Sequence, residues 1–265
     1  MEIIGKISKG SRMDQVYISK NRSGFSVGSY VVLQQLEQKK IVQRPYFYNI
    51  DYLEPIKIEM IEKIFSLVDS MVESYENCIV VGSCLERGFH FNDVDIIIIS
   101  QQIKNKKEIE QKMAQVIGIK AQIISIDQKA LIKWMATDPL YHLMLSKCVA
   151  QKRFIMKAEQ EINYKLLDLY LLKSKTLIDN TDMFDGNEKY YSVRNMIAIR
   201  LFLLQKKITK ESVDREIEKI FRVKDVKEIQ QNRVNKNAFV NAYRRVYNET
   251  FHKIMEGIRR GAEQK

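Results

Sequence analysis

The chain has 265 residues, 45% of them hydrophobic and 29% charged, and it carries a formal net charge of +11. That apolar share supports a packed core and excludes a disordered or collagen-like chain. Its three cysteines (Cys78, Cys84, Cys148) lie far apart with no CxxC pair, which excludes a disulfide framework and a structural zinc of the usual spacing.

From the N-terminus, Met1-Glu2-Ile3-Ile4-Gly5-Lys6 has no signal-peptide apolar region. No apolar run approaches the roughly 20 residues that cross a bilayer. The expectation is a soluble, cytoplasmic protein with reduced thiols and no membrane partner. Residues 1–50 read as a small β module. Glu2–Ser8, Gln15–Ser19 and Tyr30–Gln35 are short runs with Ile, Val and Tyr, broken at Lys9-Gly10-Ser11 and Asn21-Arg22-Ser23-Gly24.

Residues 51–157 read as a mixed α/β core. Pro55 opens a helix over Ile56–Ser74, whose Ile58, Ile61, Ile64, Phe65, Val68 and Met71 recur at helical spacing. Strands follow at Cys78–Val81 and Asp95–Ile99, then a helix at Lys104–Ile117 and a strand at Lys120–Ile126. Asp127 is placed to cap a helix over Gln128–Met135. Residues 158–265 read as helical, with apolar spacing of three and four over Ile162–Ile178, Ser192–Lys206, Lys210–Phe221 and Asn237–Arg260, and a loop at Asn180–Asn187. The expected fold class is α+β and multidomain: β module, α/β core, C-terminal helical bundle. From Gly186 to Lys265 there are 19 Lys and Arg against 10 Asp and Glu, so the positive excess sits in these helices. A basic surface suits RNA or DNA, although solvated helix faces give the same composition.

The stretch that carries chemistry runs from Val80 to Ile97. A strand leads into Gly82-Ser83, where the missing Cβ lets backbone approach a phosphate and the Ser83 hydroxyl and following amides can donate to it. Asp93 and Asp95 flank one apolar residue at a strand start, and period-two geometry sets both carboxylates on one face. Paired hard oxygen ligands suit Mg²⁺ or Mn²⁺.

These residues, with Arg87-Gly88 and Asn92, resemble the nucleotidyltransferase superfamily that includes DNA polymerase beta, in its small archaeal and bacterial members. The resemblance covers Ile56 to Asp127. It implies a Mg²⁺- or Mn²⁺-dependent transfer of an NMP from a nucleoside triphosphate such as ATP to a hydroxyl. Gly82, Ser83 and Arg87 would hold the nucleotide, and Asp93 and Asp95 the metal. Active members carry a third carboxylate on the next strand, but here that position falls on Gln122, which is neither base nor anionic ligand. The resemblance therefore allows either an active transferase or a binding-only descendant. His90, between Phe89 and Phe91, is a further candidate for the phosphate site.

Two flanking patterns add alternatives. Lys6–Ser11, Gln15–Lys20 and Gly28–Leu33 resemble the swapped-hairpin transcription-factor family of the AbrB type, with Ser19 and Ser29 at positions where Pro and Asp are usual. That implies a homodimer binding DNA through Lys9, Arg12, Lys20 and Arg22, against a plain β module. Arg245 and His252 in the last helix resemble the Arg-x(4–6)-His pair of HEPN-type endoribonucleases. Tyr190 and Tyr191 near Arg194 could stack on bases. The rival functions are thus a nucleic-acid-binding regulator with an inactive core, and a HEPN-like RNase.

Overall fold

In the computed structural model, residues 6–8, 13, 15–17, 27–28, 30, 45–154 and 159–263 are described. The chain divides into two compact units, residues 1–42 and 43–265. In the first, strands β1 (Lys6–Ser8) and β2 (Gln15–Tyr17) pair antiparallel, with Ile7 opposite Val16. Lys9, Arg12, Lys20 and Arg22, and the strand expected after Tyr30, lie outside the described residues.

The second unit is a mixed α/β body. Its five-stranded sheet runs in the order β3 (Tyr46–Tyr48), β7 (Cys148–Ala150), β4 (Asn77–Val81), β5 (Asp93–Ile99), β6 (Lys120–Ile126). β5 and β6 are parallel and the other pairings antiparallel. Around it stand α1 (Pro55–Met71), α2 (Lys106–Ile117), α3 (Gln128–Thr137) and α4 (Pro139–Leu145). The chain continues into α5 (Tyr164–Asp179), α6 (Gly186–Leu203), α7 (Lys210–Phe221), α8 (Lys227–Gln230) and α9 (Lys236–Glu263). Among the described residues no helix is long and apolar enough to cross a membrane.

The strand sequences explain the sheet. All five residues of β4 are buried, and β5 reads Asp-Val-Asp followed by four isoleucines. Such runs belong to strands covered on both faces. On one face Val80, Val94, Ile96 and Ile123 pack with Ile61, Ile64 and Val68 of α1 and Ile109 and Met113 of α2. On the other, Ile79, Val81, Ile97 and Ile126 pack with Leu131 and Met135 of α3 and with Leu145. A third core, built on Leu167, Leu171, Val193, Ile197, Phe202, Val213, Ile217, Tyr243 and Ile254, fills the helical region.

Local signals place the element ends. Gly118 ends α2 at φ 75°, in the left-handed region that favours glycine. The Asp127 carboxylate accepts the Ala130 amide at 2.7 Å, the N-cap role expected for it. α6 starts at Gly186, six residues before the helix read from periodicity, because Asp185 and Glu188 form a reciprocal capping box. A Cβ on Gly186 would collide with the Gln230 carbonyl of α8, so glycine permits that close packing. α4 and the three-residue strands β3 and β7 are too short to show a period in the sequence. Tyr46–Tyr48, read from the sequence as part of the first module, pairs with β7 in the main sheet.

Candidate functional site

The register brings the predicted site residues together. Val81 pairs with Asp95, so the chain leaves β4 for Gly82-Ser83 beside the start of β5. Asp93 and Asp95 alternate with the buried Val94 and share the face of Ile97 and Ile99. Asp95 pairs with Gln122 on β6, which stands on the same face and is exposed. The position at which the resemblance calls for a third carboxylate is therefore Asp95's immediate neighbour, and it carries an amide.

Gly82 stands against the Asp95 side chain. Its backbone adopts φ 91°, and a Cβ placed on it would lie 2.5 Å from Asp95 Oδ2. Only a glycine satisfies both constraints. Ser83–Leu85 then forms a single 3₁₀ turn, closed by the Glu86 amide on the Ser83 carbonyl at 3.0 Å. The Ser83 side chain, half-buried, has no hydrogen-bond partner among the described residues.

Asp93 and Asp95 are half-buried, and neither has a hydrogen-bond or ion-pair partner among the described residues. Burial, and then the charge of Asp93, push the Asp95 carboxyl above its ordinary range. A divalent cation between the two would relieve both penalties, so this donor pair fits one. Among the described residues no group of three or more His, Cys, Asp or Glu side chains gathers to hold a metal. An ion at Asp93 and Asp95 would take its other ligands from substrate phosphates and water, as Mg²⁺ commonly does.

The loop after the turn is braced by residues that the sequence reading passed over. Lys57, on α1, is 1% exposed. Its Nζ donates to the Glu86 carbonyl and, at 2.6 Å, to the Gly88 carbonyl, and it pairs with Glu54 at 2.9 Å. The Glu54 carboxylate accepts the Gly88 amide at 2.7 Å. That amide, and then the Lys57 ammonium, hold the Glu54 carboxyl down at about 2. The signal was present in the sequence: Lys57 sits four residues before Ile61 and seven before Ile64, a charge on the apolar stripe of α1. Lys57 Nζ also lies 5.2 and 5.3 Å from the ring centroids of Phe89 and Phe91.

Glu86 faces the other way and ties the loop to the rest of the unit. Its carboxylate pairs with Lys210, at the start of α7, at 3.0 Å and with Lys147, just before β7, at 3.5 Å. Arg87 and His90 are exposed and have no hydrogen-bond or ion-pair partner among the described residues.

The remaining candidates are more scattered. Tyr190 is buried and its hydroxyl donates to Asp214 at 2.8 Å, so it is not free to stack on a base. Tyr191 is 46% exposed, with the Arg194 guanidinium 4.8 Å from its ring centroid. Arg245 and His252 are both exposed on α9, seven residues apart and so on one face. No further group among the described residues converges on them. Compared with known protein families, curated proteins and solved structures, the chain matches none.

Proposed function

We propose that this end of the sheet is a Mg²⁺- or Mn²⁺-dependent nucleotidyltransferase site that moves an NMP from a nucleoside triphosphate to a hydroxyl. What carries the reading is the contact between Gly82 and Asp95. A Cβ on Gly82, in the turn proposed to hold phosphate, would lie 2.5 Å from Asp95 Oδ2, at a φ of 91°. Two half-buried carboxylates on β5 without a hydrogen-bond or ion-pair partner among the described residues are costly, and they make sense when they hold a cation. Bound there, the ion would neutralise the phosphates of the substrate.

The residues of the chain take the remaining roles. Gly82 lets the phosphates approach the backbone, and the Ser83 hydroxyl and Arg87 guanidinium donate to them. The acceptor oxygen bonds to the α-phosphorus as the bond to pyrophosphate breaks. Gln122 can donate to or accept from the acceptor but cannot take its proton, so that proton leaves to solvent. The chemistry rests on positioning and charge neutralisation, and transfer is slow relative to a site with three carboxylates. The exposed cations of the helices would hold an RNA acceptor.

Gln122 also favours a second reading, a nucleic-acid-binding regulator in which the same core is an inactive scaffold. Label transfer separates the two. The protein is incubated with each α-labelled NTP, Mg²⁺ or Mn²⁺ and pooled RNA, beside Asp93→Ala/Asp95→Ala. Label on RNA or protein that vanishes in the double variant supports the transferase. No label above that control, with RNA bound and its affinity falling steeply with salt, supports the regulator.

A further inference from the structure

The last helix carries a basic stripe along its outer face. α9 is held by the other face, where Phe239, Tyr243, Val246 and Ile254 are buried. Opposite them Arg245, His252 and Arg259 stand exposed at seven-residue steps, with the exposed Asn241 and Asn248 on the same side. At about 1.5 Å per residue, the stripe from Arg245 to Arg259 runs about 21 Å. The two acids beside it are engaged: Glu249 pairs with Arg200 at 3.6 Å and Glu256 with Arg260 at 3.9 Å. Arg245, Arg259 and the two asparagines have no hydrogen-bond or ion-pair partner among the described residues. At its N-terminal end the stripe meets a cavity of about 460 Å³ between the end of α5 and the start of α9, and Asn241 belongs to both. Of the residues that line it, Asp182 is paired with Lys236 at 2.6 Å. Asp179, Asn237 and Arg244 have no such partner among the described residues.

We infer that α9 seats a single-stranded RNA, its backbone along Arg245 and Arg259 and one unpaired base in the cavity. A polymer with regularly spaced charge needs a line of cations rather than a convergent site, and the stripe supplies one. The charge lies where the strand would lie: α9 has six Lys and Arg against three Glu, and two of those Glu are paired. A protein partner calls for an apolar centre, whereas nucleic-acid interfaces are polar and positive. Among the described residues, Ile258 is the only large apolar side chain exposed on α9, and it stands about 100° round the helix from Arg259. The cavity is of a size that takes a small ligand. In it the Asp179 carboxylate accepts from a ring N–H or amino group, the Asn237 and Asn241 amides donate and accept, and Arg244 meets a phosphate. A paired base has those edges occupied, so the cavity selects single strands. That this RNA is the acceptor rests on the transferase reading above; the seat itself does not.

The test uses the full chain and a fluorescent RNA of about ten nucleotides, single-stranded or in a duplex, with anisotropy read from about 50 to 200 mM salt. Arg245→Gln/Arg259→Gln should lower the slope of log affinity against log salt by about 1.4, two phosphate contacts at about 0.7 each. Lys107→Gln/Lys112→Gln removes the same charge from exposed positions on α2 and should leave the slope unchanged. Asn237→Ala/Asn241→Ala should weaken binding of the single strand about tenfold, with the slope and the duplex affinity unchanged. All six side chains are exposed, so thermal unfolding of each variant should match that of the parent protein. A slope that falls equally in the α2 and α9 variants overturns the seat, as does an unchanged slope in the α9 variant. Duplex bound as tightly as the single strand, with no effect of the asparagine variant, overturns the place of the base. Binding of polyglutamate that depends on Arg245 and Arg259, with no binding of RNA, overturns the choice of RNA. RNA binding that keeps its dependence on α9 in a protein that transfers no NMP overturns the transferase reading and leaves the seat standing.

Discussion

The end of the sheet and helix α9 each carry a pair of residues singled out by spacing, and the structure treats the pairs differently. Around Asp93 and Asp95 other features converge: the Gly82 turn, the Gln122 neighbour on β6, the loop held by Lys57 and Glu54. Around Arg245 and His252 there is periodicity alone. Both pairs share a face, because a period of two in a strand and of seven in a helix guarantees it. A shared face is a weak constraint. Groups from three segments distant in sequence meeting at one point are a strong one, because each must be positioned by its own element.

The comparison breaks most visibly at the brace. Lys57→Met leaves Glu54 without its cation and the Glu86 and Gly88 carbonyls without a donor. Leaving those two carbonyls unpaired lowers stability, which calorimetry or denaturant unfolding would read. The acid limb of stability reports the same brace. The Glu54 carboxyl sits at about 2 when folded against 4.5 as a free side chain. Its contribution is full above 4.5 and is lost as pH falls from there toward 2, since the unfolded state binds the proton first. Glu54→Gln should flatten that part of the profile.

Next in size is the missing carboxylate. Gln122→Asp places a third acid beside Asp95 and supplies the proton acceptor that the site lacks. NMP transfer should rise about a hundredfold or more, the usual yield of a positioned general base. An unchanged rate would place the site with the scaffold reading.

The turn itself offers a contrast within the same chain. Gly82→Ala forces a Cβ into Asp95 at a φ of 91°, whereas Gly118, at φ 75°, has nothing within 4 Å. Both changes cost stability through the backbone, about 1–3 kcal/mol. Only Gly82→Ala should also abolish metal-dependent binding of NTP, read by calorimetry with and without Mg²⁺.

The smallest effect belongs to α9. Arg245→Ala/His252→Ala removes exposed charge and no convergent site, so metal-independent RNA cleavage should not change. RNA affinity should weaken by severalfold at most, and less as salt rises. Loss of a measurable cleavage activity would instead restore the RNase reading and erase the contrast.

Much of the second unit was legible in sequence because its signals are local or periodic. The β5 isoleucines, the Pro55 start, the Asp127 cap and the apolar stripes of α5, α7 and α9 each declare an element within a few residues. The shared face of Asp93 and Asp95 was legible from their alternation with Val94, whereas Gln122 was singled out only by the resemblance, and its pairing with Asp95 is set by the sheet. What could not be read depends on contacts across long separations. β3 and β7 are three residues each and become strands only through pairing partners about a hundred positions apart. Lys57 stands out as a charge on the apolar stripe of α1, but the loop that it serves cannot be read from that stripe. The exposure of Phe89 is equally silent, since an aromatic beside a glycine in a loop packs inward as readily as outward. The early start of α6 was readable, but only by weighing the capping box above periodicity.

The contact between Gly82 and Asp95 has an evolutionary consequence. A chain that keeps the carboxylate at 95 cannot enlarge residue 82, and one that enlarges 82 must first shorten 95 and also relax the backbone at the turn. The two positions are therefore bound to drift together. In descendants of this sequence, the loss of the carboxylate should come before the loss of the glycine.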